Sequence, residues 1–277
     1  MIADANDILS VQGMLPYLKK ELPHITCGDF SERIFIYDKL ESTNITAREM
    51  ITAGDGEHGS VVIADFQTAG KGRCGKSFYS PAGHGIYISF ILDPLQLGFN
   101  TPTLITAFAA VAVCEAIEEV TGKTPQIKWV NDIFLDRRKV CGILTESVIC
   151  PEEAIPKSIV LGIGINFSTP ASAFPKELQN IAGSLFGEEK PVVTRNNLAV
   201  TLINRILFSK YHNNEDKMLK QYRKRMFLLG KIVFVEEPDG KYEATAVDID
   251  DIGRLIVEKD NGELLMLSSG EVSIRNF

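Results

Sequence analysis

One segment near the middle of the chain constrains the fold more than any other, because it predicts a helix without a polar face. Residues 101–122 read TPTLITAFAAVAVCEAIEEVTG, with a threonine and a proline at the start and a glycine at the end. These residue types begin and end α-helices. No charged side chain occurs before Glu115, so the helix is apolar nearly all round and should be buried under other layers of structure.

Alternating apolar runs on both sides of this segment predict the strands that cover it. We expect strands at 33–38, 60–66, 85–92 and 158–167, a hairpin at 133–149, and further helices at 7–20, 42–54 and 194–226, the last broken near 212–216.

After Gly230 the pattern changes to short strands separated by PDG, DDIG and DNG turns, which is typical of a small β-barrel. We therefore predict an α+β fold with a mixed, mostly antiparallel sheet. Its parts are a short helical segment at 1–30, the main domain at 31–228 and a barrel at 229–277.

Composition excludes several classes of protein. The net charge of −7 argues against a general polyanion binder. No apolar run is long enough to span a membrane, and the N-terminus lacks a signal-peptide pattern, so a cytoplasmic protein is expected. The five cysteines and four histidines show no metal-ligand spacing, which indicates reduced thiols and no built-in metal site.

The segment QTAGKGRCGKSF, residues 67–78, combines glycines with cationic side chains. Glycines leave backbone N–H groups free to face an oxyanion, and the cations add mobile positive charge. We expect residues 68–76 to be disordered in the free protein and to close over a phosphorylated ligand. A solvated surface turn is the alternative. The residues concerned are Gly70, Lys71, Gly72, Arg73, Gly75 and Lys76.

Three further segments place polar groups or glycines where the pattern is otherwise apolar. In IKWVNDIFLDRRKVCGIL (127–144), four polar groups interrupt a strand pair; they either serve a site or pair structurally, as Lys128 with Asp132. ESTN (41–44) reads as a helix cap. The glycines of LGIGINF (161–167) indicate a bulge or a backbone that a ligand approaches closely.

Taken in order along the chain, these motifs resemble those of the biotin protein ligases. The ordered set is E-S-T-N, Q-T-A-G-K-G-R-x-G-K, K-W-x-N-D, R-K-x-x-G-I-L and G-I-G-I-N, and the resemblance runs from about residue 33 to the C-terminus. It implies the fold of that family, which is related to class II synthetases and carries an SH3-like barrel at its C-terminal end. The helix-turn-helix domain of the bifunctional ligase–repressors is not part of the resemblance, so no specific DNA binding is expected.

The resemblance also implies roles for individual residues. Ser42, Thr43 and Asn44 would bind the ureido ring of biotin, with Gln67 nearby, and the loop at 70–73 would fold over the adenylate phosphate. Lys139 would meet the reacting carboxylate and the α-phosphate. The catalytic residues so implied are Arg73, Lys128, Asp132 and Lys139; the ligand-binding residues are Ser42, Thr43, Asn44, Gln67, Gly70, Lys71, Gly72, Arg73, Asn131, Lys139, Gly142, Gly164 and Asn166. Lys71, Cys74 and Lys76 depart from the family's arginine-rich loop.

The implied reaction makes biotinyl-5′-AMP from biotin and ATP, with Mg²⁺ arriving on the ATP. Biotin then passes to a lysine of a biotin carboxyl carrier protein, and the resemblance allows a homodimer. A cationic loop suits this chemistry, because the carboxylate of biotin and the α-phosphate of ATP are both anions. A lipoate or octanoate ligase of the same fold and a non-catalytic biotin-binding regulator are the alternatives.

Overall fold

Each predicted helix and strand has a counterpart in the computed structural model, which describes residues 7–21, 30–99, 101–148, 158–237 and 240–274. The helices are α1 (Val11–Glu21), α2 (Thr43–Ala53), α3 (Pro94–Leu97), α4 (Pro102–Thr121), α5 (Arg195–Leu207) and α6 (Glu215–Arg225). The strands of the main domain are β1 (Ile34–Leu40), β2 (Val61–Gln67), β3 (Gly85–Leu92), β4 (Gln126–Lys128), β5 (Asp132–Leu135), β6 (Arg138–Val148) and β7 (Ser158–Asn166). The C-terminal strands are β8 (Ile232–Glu237), β9 (Gly240–Ile249), β10 (Leu255–Glu258), β11 (Leu264–Leu267) and β12 (Glu271–Ile274).

The main domain is built on a seven-stranded sheet in the order β1-β2-β3-β7-β6-β5-β4. Among these described strands only β1 and β2 pair in parallel, connected through α2, and the other neighbours are antiparallel. This confirms the predicted mixed, mostly antiparallel sheet. The turn between β5 and β6, inside the predicted hairpin, has positive φ at Asp136 and Arg137.

The apolar helix α4 lies where its sequence requires, covered by α5, α6 and β6. The side chain of Thr101 caps its start by accepting the N–H of Leu104 at 3.3 Å, and Gly122 ends it in the left-handed region with φ 71°. All side chains from Leu104 to Cys114 are buried, Thr106 included. Within the described ranges, no helix is both long and apolar enough to cross a membrane.

The C-terminal strands form the predicted small antiparallel unit, a five-stranded sheet in the order β11-β10-β9-β8-β12. Its core residues belong to the same continuous hydrophobic cluster as those of the main domain. Polar contacts also join the units; among them, Trp129 Nε1 donates to Gly253 O at 3.1 Å, and Arg223 Nε donates to Ile249 O at 2.9 Å. The barrel is therefore packed onto the main domain at the position of the only tryptophan in the chain.

Three cysteines lie in the described part of the chain, and each is a free thiol. Cys74 is exposed, whereas Cys114 and Cys141 are buried. Burial raises the pKa of both buried thiols, so they stay protonated and behave as small apolar side chains. Cys27 and Cys150 lie outside the described residues.

Candidate functional site

A cavity of about 420 Å³ opens between the central strands of the large sheet and the barrel. The structure brings nearly all the predicted site residues to its wall, although they come from six separate stretches of the chain. Gly70 is the exception, and it lines a second cavity of about 790 Å³ that has the 71–77 segment as a shared wall. The predicted residues on the first cavity are Ser42, Thr43, Asn44, Gln67, Lys71, Gly72, Arg73, Lys128, Asn131, Asp132, Lys139, Gly142, Gly164 and Asn166.

One end of the cavity is formed by neutral polar groups at the start of α2. Ser42 is the N-cap residue of that helix, but its side chain makes no capping hydrogen bond, so its hydroxyl is available to the cavity. Gln67, the last residue of β2, accepts the backbone N–H of Thr43 at 2.9 Å through Oε1. Its Nε2 donates to Ser80 Oγ at 2.9 Å, which fixes the orientation of the amide. This end can therefore recognise a small neutral group that carries both donors and acceptors.

The floor of the cavity consists of glycines on β6 and β7 with the ring of Phe78 above them. A Cβ atom on Gly164 would lie 2.5 Å from Phe78 Cε1, and one on Gly142 would lie 3.2 Å from Phe78 Cε2. On the same strand, a Cβ on Gly162 would lie 2.0 Å from Asn44 Oδ1. The glycines of LGIGINF are thus needed because side chains of the chain itself approach the strand, and within the described residues β7 pairs without a register shift.

The other end of the cavity is charged. Lys139 Nζ lies 2.6 Å from Asp132 Oδ1, and both side chains are largely shielded from solvent. Among the described residues Asp132 therefore pairs with Lys139 rather than with Lys128, contrary to the structural pairing considered above. Burial lowers the pKa of Lys128; the nearby carboxylate of Asp132 opposes this shift and the ammonium of Lys139 adds to it. With two ammonium groups and one carboxylate, this end of the cavity is suited to bind an anionic group of a ligand.

Asn131 and Asn166 hold backbone at the charged end. Asn131 accepts from Arg73 Nη1 at 3.1 Å and donates to Ile143 O at 2.9 Å. Asn166 donates to Gly183 O at 2.9 Å, beside the point where Gly183 N–H donates to Lys139 O. Both asparagines therefore fix the chain around the lysines as well as lining the cavity.

The glycine-rich segment crosses the cavity as a short hairpin with a 3₁₀ turn at Arg73–Gly75. Inside it, Gly72 N–H donates to Lys76 O at 2.7 Å and Phe78 N–H donates to Gly70 O at 2.8 Å. Arg73 ties it to Asn131, and Lys76 forms an ion pair with Glu271 on β12. Its expected disorder in the free protein remains a prediction.

The sequence did not identify several residues that shape this site. Glu271 and Glu236 of the barrel line the cavity, as do Phe174, Leu178 and Ile181 from the segment after β7. Glu146 and Ser89 stand directly behind the neutral end. Glu146 and Ser89 lie in strands whose sequence reads as apolar core, and only the register of the sheet shows which way they face.

Comparison with known proteins gives consistent matches over most of the chain. Residues 37–166 match the Biotin/lipoate A/B protein ligase family, and residues 228–275 match the Biotin protein ligase C terminal domain. The Bifunctional ligase/repressor BirA of Bacillus subtilis is 34% identical over 238 residues, covering 83% of this chain and 71% of its own. The Biotin–[acetyl-CoA-carboxylase] ligase of Mycobacterium tuberculosis is 28% identical over 254 residues, covering 90% and 91%.

Solved structures agree with these sequence matches. The biotin protein ligase of Aquifex aeolicus in complex with biotin and ATP superposes with a TM-score of 0.74 at 25% identity, covering 87% of this chain and 98% of that protein. The ligase of Leishmania major in complex with biotinyl-5-AMP has a TM-score of 0.56 at 22% identity, covering 85% and 98%, a likeness of fold alone. The α+β sheet and the SH3-like barrel predicted from the sequence are therefore the fold of these proteins.

Proposed function

We infer that this chain, which belongs to the Biotin/lipoate A/B protein ligase family, is an ATP-dependent biotin protein ligase. It activates biotin to biotinyl-5′-AMP and transfers the biotinyl group to a lysine of a carboxylase's biotin carboxyl carrier protein. The observation that supports this most is the cavity itself. One wall offers neutral donors and acceptors for a small polar ring, and the opposite wall offers cations for a carboxylate and a phosphate.

The first step joins two anions, and the charged end of the cavity is suited to bring them together. The carboxylate oxygen of biotin attacks the α-phosphorus of ATP, forming the mixed anhydride and releasing pyrophosphate. Lys139 and Arg73 would stabilise the negative charge on the carboxylate and the α-phosphate, and Lys128 adds a third cation. Mg²⁺ enters as part of the ATP substrate and shields the leaving pyrophosphate. Asp132 is held by Lys139 and keeps that ammonium in place.

The second step requires the adenylate to survive until a carrier protein binds. A mixed anhydride hydrolyses readily, so the segment at 70–77 has the additional task of excluding water. The amine of the carrier lysine then attacks the acyl carbon, and AMP leaves as the amide forms. The ligand roles of Ser42, Thr43, Gln67, Lys71, Gly72, Gly142, Gly164 and Asn166 are part of this proposal, supported by their positions on the cavity wall.

We propose further that the enzyme works in the cytoplasm and binds no specific DNA sequence. The free thiols among the described residues and the net charge of −7 support this setting. A gel-shift assay with DNA upstream of biotin-synthesis genes tests the second part. A homodimer remains compatible with the proposal, and sedimentation velocity with and without biotin and ATP measures it.

An ATP–pyrophosphate exchange assay tests the activity directly. Exchange should depend on biotin and should not occur with lipoate or octanoate, which lack the donors and acceptors of a urea. Exchange with lipoate but not with biotin would establish the alternative ligase. No exchange with any of the three acids, despite binding of biotin, would establish the non-catalytic regulator.

A further inference from the structure

A chain of hydrogen bonds runs from a carboxylate behind the neutral end of the cavity to the cavity wall. Asn44 Nδ2 donates to Glu146 Oε2 at 2.7 Å, and Ser89 Oγ lies 2.6 Å from Asn44 Oδ1. The same Ser89 Oγ lies 2.7 Å from Thr43 Oγ1. Ser89, Asn44 and Thr43 are all buried, so the two contacts of Ser89 are made away from bulk water, whereas Glu146 is partly exposed at the far end of the chain of hydrogen bonds.

The direction of every proton in this chain follows from its first member. An ionised carboxylate only accepts, so Asn44 must turn its NH₂ group to Glu146 and its carbonyl oxygen to Ser89. That carbonyl also only accepts, so the single hydroxyl proton of Ser89 is donated to Asn44. Ser89 then has only lone pairs to offer Thr43, so the hydroxyl proton of Thr43 is directed at Ser89 Oγ at 2.7 Å, with Gln67 Oε1 at 3.2 Å as its second acceptor. In either direction the proton is used within the protein and is not offered to a ligand.

The consequence for the cavity is a fixed polarity. Thr43 Oγ1 presents an acceptor, since its proton is used behind the wall. Gln67 Oε1 is occupied by the Thr43 N–H, and one Nε2 proton goes to Ser80 Oγ, which leaves the second Nε2 proton as a donor. An acceptor beside a donor complements a cyclic urea, which has N–H donors and a carbonyl acceptor. A dithiolane ring or an alkyl chain has neither.

We propose that Glu146, Asn44 and Ser89 are positioning residues that select biotin by fixing the hydrogen-bond polarity of Thr43. This inference rests on the proposed function and extends it to residues behind the cavity wall. It assigns Asn44 a positioning role beside the direct contact expected from the sequence, because one Nδ2 proton and the Oδ1 atom are engaged behind the cavity wall. Gly162 leaves room for the amide in this position, since a Cβ atom there would lie 2.0 Å from Asn44 Oδ1.

The test uses substitutions that change polarity but not volume. Asn44→Asp sets two carboxylates 2.7 Å apart and should raise the Kd for biotin about 10- to 100-fold. In wild type, Asn44 and Arg48 each donate to one oxygen of Glu146, Arg48 to Oε1 at 3.1 Å. Glu146→Gln should have a smaller effect, because its NH₂ group then faces a donor at only one of these two contacts. In the double variant the new amide at position 146 donates to the new carboxylate at position 44 and accepts from Arg48. Biotin binding should therefore return to within about threefold of wild type.

Ser89→Ala breaks the chain in its middle and should also raise the Kd and KM for biotin about 10- to 100-fold, with kcat and the KM for ATP little changed. Ser184→Ala is the matched control, since Ser184 donates to Thr169 O at 2.7 Å and lines neither cavity. Desthiobiotin, which keeps the urea, should lose affinity in parallel with biotin. Thermal melts confirm that each variant folds.

The outcomes separate this inference from the function it rests on. A wild-type protein that supports exchange with lipoate and not biotin would overturn both. A wild-type protein active with biotin, combined with an Asn44→Asp Kd within twofold of wild type, would overturn the polarity role alone. So would a double variant as weak as Asn44→Asp, because isosteric changes that fail to rescue indicate packing rather than polarity.

Discussion

Replacing Lys139 with alanine tests the charged end of the cavity most directly. Its ammonium lies 2.6 Å from Asp132 and is only 28% exposed, so it acts in a partly desolvated site. A unit charge pair at about 4 Å with an effective dielectric of about 20 is worth about 4 kcal/mol, and the remaining exposure reduces this to about 3 kcal/mol. We therefore expect kcat for biotin adenylation to fall about 10²- to 10³-fold, with a much smaller change in the Kd for biotin.

The same substitution also leaves Asp132 facing the anionic substrates without its partner. The KM for ATP should rise, and adding Asp132→Asn should recover part of that rise, because the two side chains act as a pair. Lys123→Ala is the matched control: Lys123 has the same 28% exposure, pairs with Glu189 at 3.4 Å and lines neither cavity. Pyrophosphate exchange and calorimetric titration of biotin measure both effects. Near-normal turnover of Lys139→Ala would remove this lysine from the mechanism.

Three further predictions address other parts of the site. Burial lowers the pKa of Lys128, so its ammonium loses its charge at a lower pH than an ordinary lysine does, and the KM for ATP should climb at alkaline pH. Lys128→Arg should flatten that climb. A Lys128→Arg variant with the same pH dependence of KM as wild type would contradict the assignment. Gly164→Ala puts a Cβ 2.5 Å from the ring of Phe78, so the KM for biotin and ATP should rise about tenfold and the Tm should fall by a few degrees. Adding Phe78→Ala should restore the Tm but not the affinity. Trypsin should cut after the exposed Lys71 or Lys76 in the free protein and more slowly with biotin and ATP, and alkylation of the exposed Cys74 should slow in parallel. Equal rates with and without biotin and ATP would show that the segment is only a surface turn.

Local patterns predicted the elements of this fold because each signal lies within the element itself. Thr101 and Gly122 mark the ends of α4, and the apolar stretch between them requires burial. The ordered motifs also predicted which residues would meet at one cavity. That succeeded because the motifs fall at strand ends and turns, where side chains of neighbouring strands converge.

The remaining features depend on contacts between distant positions, which a local pattern does not record. Asn44 and Glu146 are 102 residues apart, and Lys76 and Glu271 are 195 apart. Glu146 and Ser89 lie in strands that read as core, and their facing is set by sheet register. The glycines of β7 indicated a close approach, but the approaching groups are the side chains of Asn44 and Phe78.

The contacts around Trp129 have a consequence for how the chain unfolds. Trp129 donates to Gly253 of the barrel, and the next residue, Val130, accepts the hydroxyl of Tyr222 from α6 at 3.0 Å. Trp129 lines the first cavity and Val130 the second. Because of these two contacts, the backbone that carries Asn131 and Asp132 is held between a helix and the barrel. The barrel therefore cannot melt independently without loosening the cationic end of the cavity. Heating should show a single cooperative transition, with adenylation lost at the same temperature as barrel structure.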